Sequence, residues 1–108
     1  MKHSESAMIE LGKKVLKDIK FEYYHNMPIT ARFNSKENSS KYPSVQKSWT
    51  IFAKWFDHDF LDGMDSIASL MIDDETGIPI VLRLATGGGG NCVIAKDNDG
   101  IYFIESNY

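Results

Sequence analysis

Cysteine is almost missing from this chain, because Cys92 is the only one among its 108 residues. A single thiol cannot form an internal disulfide, which is typical of proteins that fold in a reducing compartment. Long apolar runs are missing too, since no stretch approaches the roughly 20 apolar residues of a membrane-spanning helix. Charges at Lys2, Glu5 and Glu10 interrupt any apolar secretion signal. Length and these absences predict one cytoplasmic domain, residues 1–108, that contacts no membrane.

Basic residues are missing from residues 55–82, which contain seven acids and no lysine or arginine. Residues 1–54 carry ten bases and five acids, a balance of +10 − 5 = +5, whereas residues 55–108 carry two bases and ten acids, a balance of +2 − 10 = −8. Proteins that bind nucleic acid directly are usually far more basic than a chain of net charge −3. The segregation of charge therefore predicts a basic partner for the second half, with no direct contact to nucleic acid.

The first element predicted from the sequence is a helix. Apolar residues such as Met8 and Val15 recur at the helical period, and Ser4 is a favourable N-cap, so residues 4–24 are predicted to be helical over at least four turns. Gly12 lies beside the apolar stripe and costs about 1 kcal/mol relative to alanine. It marks either a weak point of the helix or a place where a neighbouring element packs closely.

A second helix is predicted around the aromatic residues that follow a polar loop. Trp49, Phe52 and Phe56 recur at helical spacing behind an N-cap at Ser44. Such an aromatic stripe is typical of a helix that packs on a core.

The rest of the chain alternates between apolar and polar residues, which is typical of strands. The connections 73–77 and 97–100 have the lengths and residue types of hairpin turns. The predicted fold class is therefore α+β, an antiparallel meander of four to five strands with two helices packed on one face. The predicted strands are 29–33, 66–72, 78–84, 91–96 and 101–106.

No catalytic or metal-binding motif is complete. Counted from Asp57, the calcium-loop pattern fails because Leu61 takes the fifth ligand position and Asp62 the place of the glycine. Neither lysine nor a hydroxyl residue follows Gly87–Gly90, which favours a flexible connection over a phosphate-binding loop. A lone cysteine on a strand, such as Cys92, is usually a small buried apolar residue. The sequence predicts no catalytic residue, no cofactor and no metal.

The stretch WFDHDFLDGMD, residues 55–65, and the acidic connection 73–75 form the candidate binding surface. We expect both connections to project from the same end of the sheet, where their carboxylates repel one another until a cationic partner arrives. The aromatic residues supply the apolar anchor of such a surface. The predicted partner-binding residues are Trp55, Phe56, Asp57, Asp59, Phe60, Asp62, Asp65, Asp73, Asp74 and Glu75.

The chain resembles the small bacterial immunity proteins that accompany contact-dependent inhibition systems and other polymorphic toxins. The resemblance depends on the short single domain, the acidic run DHDFLDGMD…DDE and the C-terminal hairpin GGGGNCVIAKDNDGIYFIESNY. It implies stoichiometric neutralisation of one cognate toxin, frequently a nuclease with a cationic substrate cleft. The acidic connections would then imitate phosphate groups and block entry of the substrate.

Two other classes of function remain open from the sequence. One is a small thiol- or metal-dependent enzyme built on Cys92 and His58. The other is a regulatory subunit that joins a larger complex through its glycine-rich loop or an exposed strand edge.

Overall fold

The computed structural model describes residues 3–34, 47–57, 64–84 and 91–107. These residues form one helix and six strands. In chain order the elements are α1 (Glu5–Asp18), β1 (Thr30–Asn34), β2 (Ser48–Asp57), β3 (Met64–Asp73), β4 (Pro79–Leu84), β5 (Asn91–Lys96) and β6 (Tyr102–Asn107).

The strands form a single antiparallel sheet in which each strand pairs with its neighbours in the sequence, in the order β1-β2-β3-β4-β5-β6. The predicted α+β class and the antiparallel meander are confirmed. The predicted numbers of elements are wrong, because the described residues contain six strands and one helix rather than four to five strands and two helices.

The predicted second helix is a strand, β2. Trp49, Ile51 and Ala53 are buried on the face that packs on α1, whereas Phe52 and Phe56 lie on the opposite face. The helical spacing of the aromatic residues was therefore coincidental, since β2 places aromatic rings on both of its faces. Its β-branched and aromatic composition favours the extended backbone. The proposed N-cap of the second helix, Ser44, lies outside the described residues.

The predicted first helix is α1, and its N-cap is confirmed. The Ser4 hydroxyl oxygen accepts a hydrogen bond from the Ala7 amide at 3.1 Å. The helix ends at Asp18, before the end of the predicted range, because Lys20 adopts a left-handed conformation with φ of 60°. The Phe21 amide then donates to the Leu16 carbonyl at 2.9 Å, which closes the helix. No helix in the described part of the chain is long and apolar enough to cross a membrane.

The core lies between α1 and one face of the sheet. Met8, Val15 and Leu16 of the helix pack there against apolar residues of the strands. Gly12 faces Ile51 so closely that an added Cβ would lie 2.8 Å from the Ile51 Cγ2 atom. This close contact decides between the two interpretations of Gly12: it marks close packing on a neighbouring element.

α1 packs against β1 and β2 at one side of the sheet and also against β6 at the opposite edge. At the β6 edge the Asp18 carboxylate accepts a hydrogen bond from the Tyr102 amide at 3.2 Å and one from Lys14 Nζ at 2.8 Å. Further along β6 the pairing with β5 shifts by one residue, and Glu105 is the extra residue of this β-bulge.

The Asp18 contact predicts a pH dependence of stability. The hydrogen bond from Lys14, followed by that from the Tyr102 amide, lowers the pKa of Asp18 although partial burial opposes the shift. A carboxyl group with a lowered pKa in the folded state stabilises the protein above its unfolded pKa of about 3.9, and this contribution is lost as the pH falls through the folded value. Urea unfolding from pH 2 to pH 6 is expected to show that Asp18→Asn is less stable than the unmodified chain at pH 6 and that this difference shrinks as the pH falls towards 2. A difference that is constant with pH would contradict this role of the charge.

Candidate protein-binding surface

The two acidic connections lie at opposite ends of the sheet, so the prediction that they share one end is wrong. Asp65 pairs with Phe56 at one end of β3, whereas Asp73 pairs with Ser48 at the other end. Eight residue-to-residue steps of extended backbone, at about 3.3 Å each, separate the two aspartates by roughly 26 Å. No single binding surface at one end of the sheet contains both connections.

Asp74 is a structural residue rather than a surface contact, which corrects its predicted role. Its side chain is fully buried. One of its carboxyl oxygens, Oδ1, accepts hydrogen bonds from Trp49 Nε1 at 3.0 Å and from the His3 amide at 3.2 Å. The neighbouring Asp73 organises the turn by accepting from the Glu75 amide at 3.0 Å and from the Thr76 hydroxyl at 3.2 Å.

The other end of β2 and β3 keeps part of the predicted surface together. Phe56 and Asp65 are exposed directly opposite one another, and the adjacent Trp55 is half-buried. Asp57 is described only as a backbone position, paired with Met64. The remaining predicted residues of this connection, Asp59, Phe60 and Asp62, lie outside the described residues, as does His58.

A groove with a volume of about 530 Å³ opens beside Trp55 and Phe56. We call it the aromatic groove. Four of its residues were not predicted from the sequence, and they belong to the segment that follows α1. The signal available in the sequence was the density of aromatic residues in FEYYH, residues 21–25. The described residues that line the aromatic groove are Phe21, Glu22, Tyr23, Tyr24, Trp55 and Phe56.

Contacts within the protein hold three of the rings in place. Phe21 packs on Trp55 with 5.1 Å between ring centroids, and Tyr23 packs on His25 in a tilted arrangement with 4.4 Å between ring centroids. The Tyr24 hydroxyl donates to the Asp65 carboxylate at 2.6 Å. This hydrogen bond is the main reason that the pKa of Tyr24 is raised. The groove is therefore preorganised and has a carboxylate at its margin.

The Trp55 indole donor has no hydrogen-bond acceptor among the described residues. Its Nε1 atom is buried. A buried donor without a partner costs about 1–3 kcal/mol. A phenylalanine at position 55 would avoid this cost.

A second groove, of about 650 Å³, lies on the side of α1 and shares Phe21, Glu22 and Tyr23 with the first. Several lysines line it, but Lys13 pairs with Glu10 at 3.3 Å and Lys14 pairs with Asp18 at 2.8 Å. The lysine side of α1 is thus partly neutralised by its own acids and is not a continuous basic surface.

Of the two residues that the sequence offers for a thiol- or metal-dependent enzyme, Cys92 is described and His58 is not. Cys92 is buried, and burial raises the pKa of its thiol, which disfavours the reactive thiolate. Within residues 3–34, 47–57, 64–84 and 91–107, no three His, Cys, Asp or Glu side chains are grouped as metal ligands would be. Gly87–Gly90 lies outside these ranges.

Comparison with known proteins adds no relative, since no family model, curated protein or solved structure matches this chain.

Proposed function

We propose that this protein is an immunity protein, which acts in the cytoplasm and neutralises a cognate bacterial toxin by stoichiometric contact. The toxin is expected to have a basic surface, as a nuclease does. The observation that carries the proposal is the aromatic groove beside the exposed Asp65, at the end of the sheet where the β2–β3 connection adds further acids. A large apolar anchor within an acidic margin is typical of surfaces that bind basic proteins.

The proposed interface includes only one end of the sheet. It retains the predicted residues of the β2–β3 end, which are Trp55, Phe56, Asp57, Asp59, Phe60, Asp62 and Asp65. The residues of the β3–β4 turn are excluded from it, because they lie at the other end and one of them, Asp74, is buried. The thiol enzyme is the weaker alternative because of the burial of Cys92.

The proposal predicts that charge reversal at one end of the sheet slows association with the toxin while the same reversal at the other end does not. The first variant is Asp59→Lys/Asp62→Lys. The matched control, Glu75→Lys/Asp99→Lys, changes the net charge equally at the far end. We expect the first variant to reduce the association rate about tenfold at low salt and to flatten its salt dependence, because local steering is lost.

The protein encoded beside this chain is the first candidate toxin, and co-purification of the two from co-expressing cells tests the function itself. Failure of that protein to bind, with growth of the cells unaffected by it, would refute the proposed function. Equal slowing by both charge reversals would show that net charge alone steers association and would refute the location of the interface.

A further inference from the structure

We infer that the aromatic groove holds the guanidinium group of an arginine side chain from the partner. This inference deepens the proposed function and rests on it for the identity of the partner as a basic protein. Three observations carry it: the kind of rings in the groove, the charges around it and the way in which the rings are fixed.

Five of the six described lining residues are aromatic, which gives a cation several ring faces to contact. Tryptophan has the strongest attraction for a cation, and arginine stacks on aromatic faces more often than lysine does. Trp55 has a buried indole donor without an acceptor among the described residues. A role of its ring in binding the cation explains why a tryptophan is present there.

The charges favour a cation over an anion or a neutral group. Glu22 is the only charged residue among the described lining residues, and Asp65 adds a second carboxylate through its hydrogen bond with Tyr24. Both acids are exposed, so a guanidinium group can reach them from solvent. The neighbouring groove is lined by lysines as well as acids, whereas the described lining of the aromatic groove contains no base, so the side of Trp55 and Phe56 is the more favourable position for a cation.

The fixed rings suit a flat, rigid group. Phe21 is held on Trp55, Tyr23 on His25 and Tyr24 on Asp65, so little side-chain freedom is lost when a ligand enters. A planar guanidinium group stacks on one ring while its edge donates hydrogen bonds to a carboxylate, and an ammonium group lacks this geometry.

The test uses the full chain and two small probes, N-acetyl-arginine methylamide and its neutral counterpart N-acetyl-citrulline methylamide. The probes have the same shape and differ in charge. Titration followed by NMR is expected to shift the ring resonances of Trp55 and Tyr23, with arginine bound about tenfold more tightly than citrulline. The variant Glu22→Gln should reduce this preference several-fold, whereas Asp99→Asn, an exposed acid at the other end of the sheet, should leave it unchanged.

The outcomes separate this inference from the proposed function. Equal binding of the two probes, binding of neither, or shifts confined to residues outside the groove would overturn the arginine site, whatever the toxin does. A toxin that fails to bind while the arginine preference is intact and sensitive to Glu22→Gln would refute the toxin as partner and leave the site established. Loss of the preference in Asp99→Asn as well as in Glu22→Gln would show a diffuse charge effect and would also overturn the site.

Discussion

Trp49→Phe is expected to lower the free energy of unfolding by about 3 kcal/mol. The substitution keeps an aromatic ring in contact with Phe33, whose centroid lies 5.2 Å from that of Trp49, but it removes the indole donor from the buried Asp74. Removing a donor from a buried carboxyl group costs more than removing one from an exposed group, because water cannot replace it. In a domain of this length the loss corresponds to a fall in melting temperature of roughly 10–20 °C.

The matched control for this prediction is Trp55→Phe, which makes the same chemical change at a tryptophan whose Nε1 atom has no acceptor among the described residues. At position 55 the substitution loses packing, which destabilises the protein, but it also removes a buried donor, which stabilises it. The two effects oppose each other, so the change in unfolding free energy should stay within about 1 kcal/mol. Thermal and urea unfolding of the two variants side by side make the comparison. Equal losses of unfolding free energy in the two variants would mean that the hydrogen bond from Trp49 to the buried Asp74 adds no stability of its own.

Gly12→Ala is expected to destabilise the protein by about 2 kcal/mol, although alanine is the better helix former by about 1 kcal/mol. The sign follows from the contact with Ile51, because the new Cβ would meet its Cγ2 atom at 2.8 Å. Ile51 is 1% exposed in the core, and its Cβ and Cγ1 atoms also lie within 3.4 Å of the added Cβ, so relief of the contact requires the whole branched side chain to shift.

A double-mutant cycle with Ile51→Ala tests the cause of this loss. Ile51→Ala removes the Cγ2 atom, so Gly12→Ala should cost much less in that background and the two changes should not be additive. Urea unfolding of the four proteins measures the coupling. Additive losses would show that Gly12 is required for a reason other than its distance from Ile51.

Apolar and polar residues alternate in β3 to β6, and residues that favour turns connect those strands. These two features were sufficient to predict most of the sheet. Period-two patterns such as that of β5, in which Cys92 and Ile94 are buried, are direct consequences of a sheet with one face on a core. The period-two pattern did not identify β2 as a strand, because apolar side chains such as Phe52 also occur on the face of β2 that points away from α1. When both faces of a strand carry large rings, spacing alone does not distinguish it from a helix.

The candidate site was predictable only in part. Residues 57–65 and 73–75 flank a single strand, so the direction of that strand already places them at opposite ends, and the expectation of one shared surface conflicted with the predicted meander. The contribution of residues 21–24 to the groove depended on the path of the chain after α1, where the Tyr24 amide donates to the Lys54 carbonyl at 2.8 Å. Local sequence patterns do not report such a long-range contact.

The outer margin of β6 has a consequence for the behaviour of the protein at high concentration. An unprotected edge strand can pair with strands of other molecules and so promote the formation of fibrils. Here the Tyr102 amide is already engaged by Asp18, and the irregularity at Glu105 breaks the regular spacing that an incoming strand would need. Growth of aggregates from this side of the molecule is thereby disfavoured, without a lysine or proline within the strand.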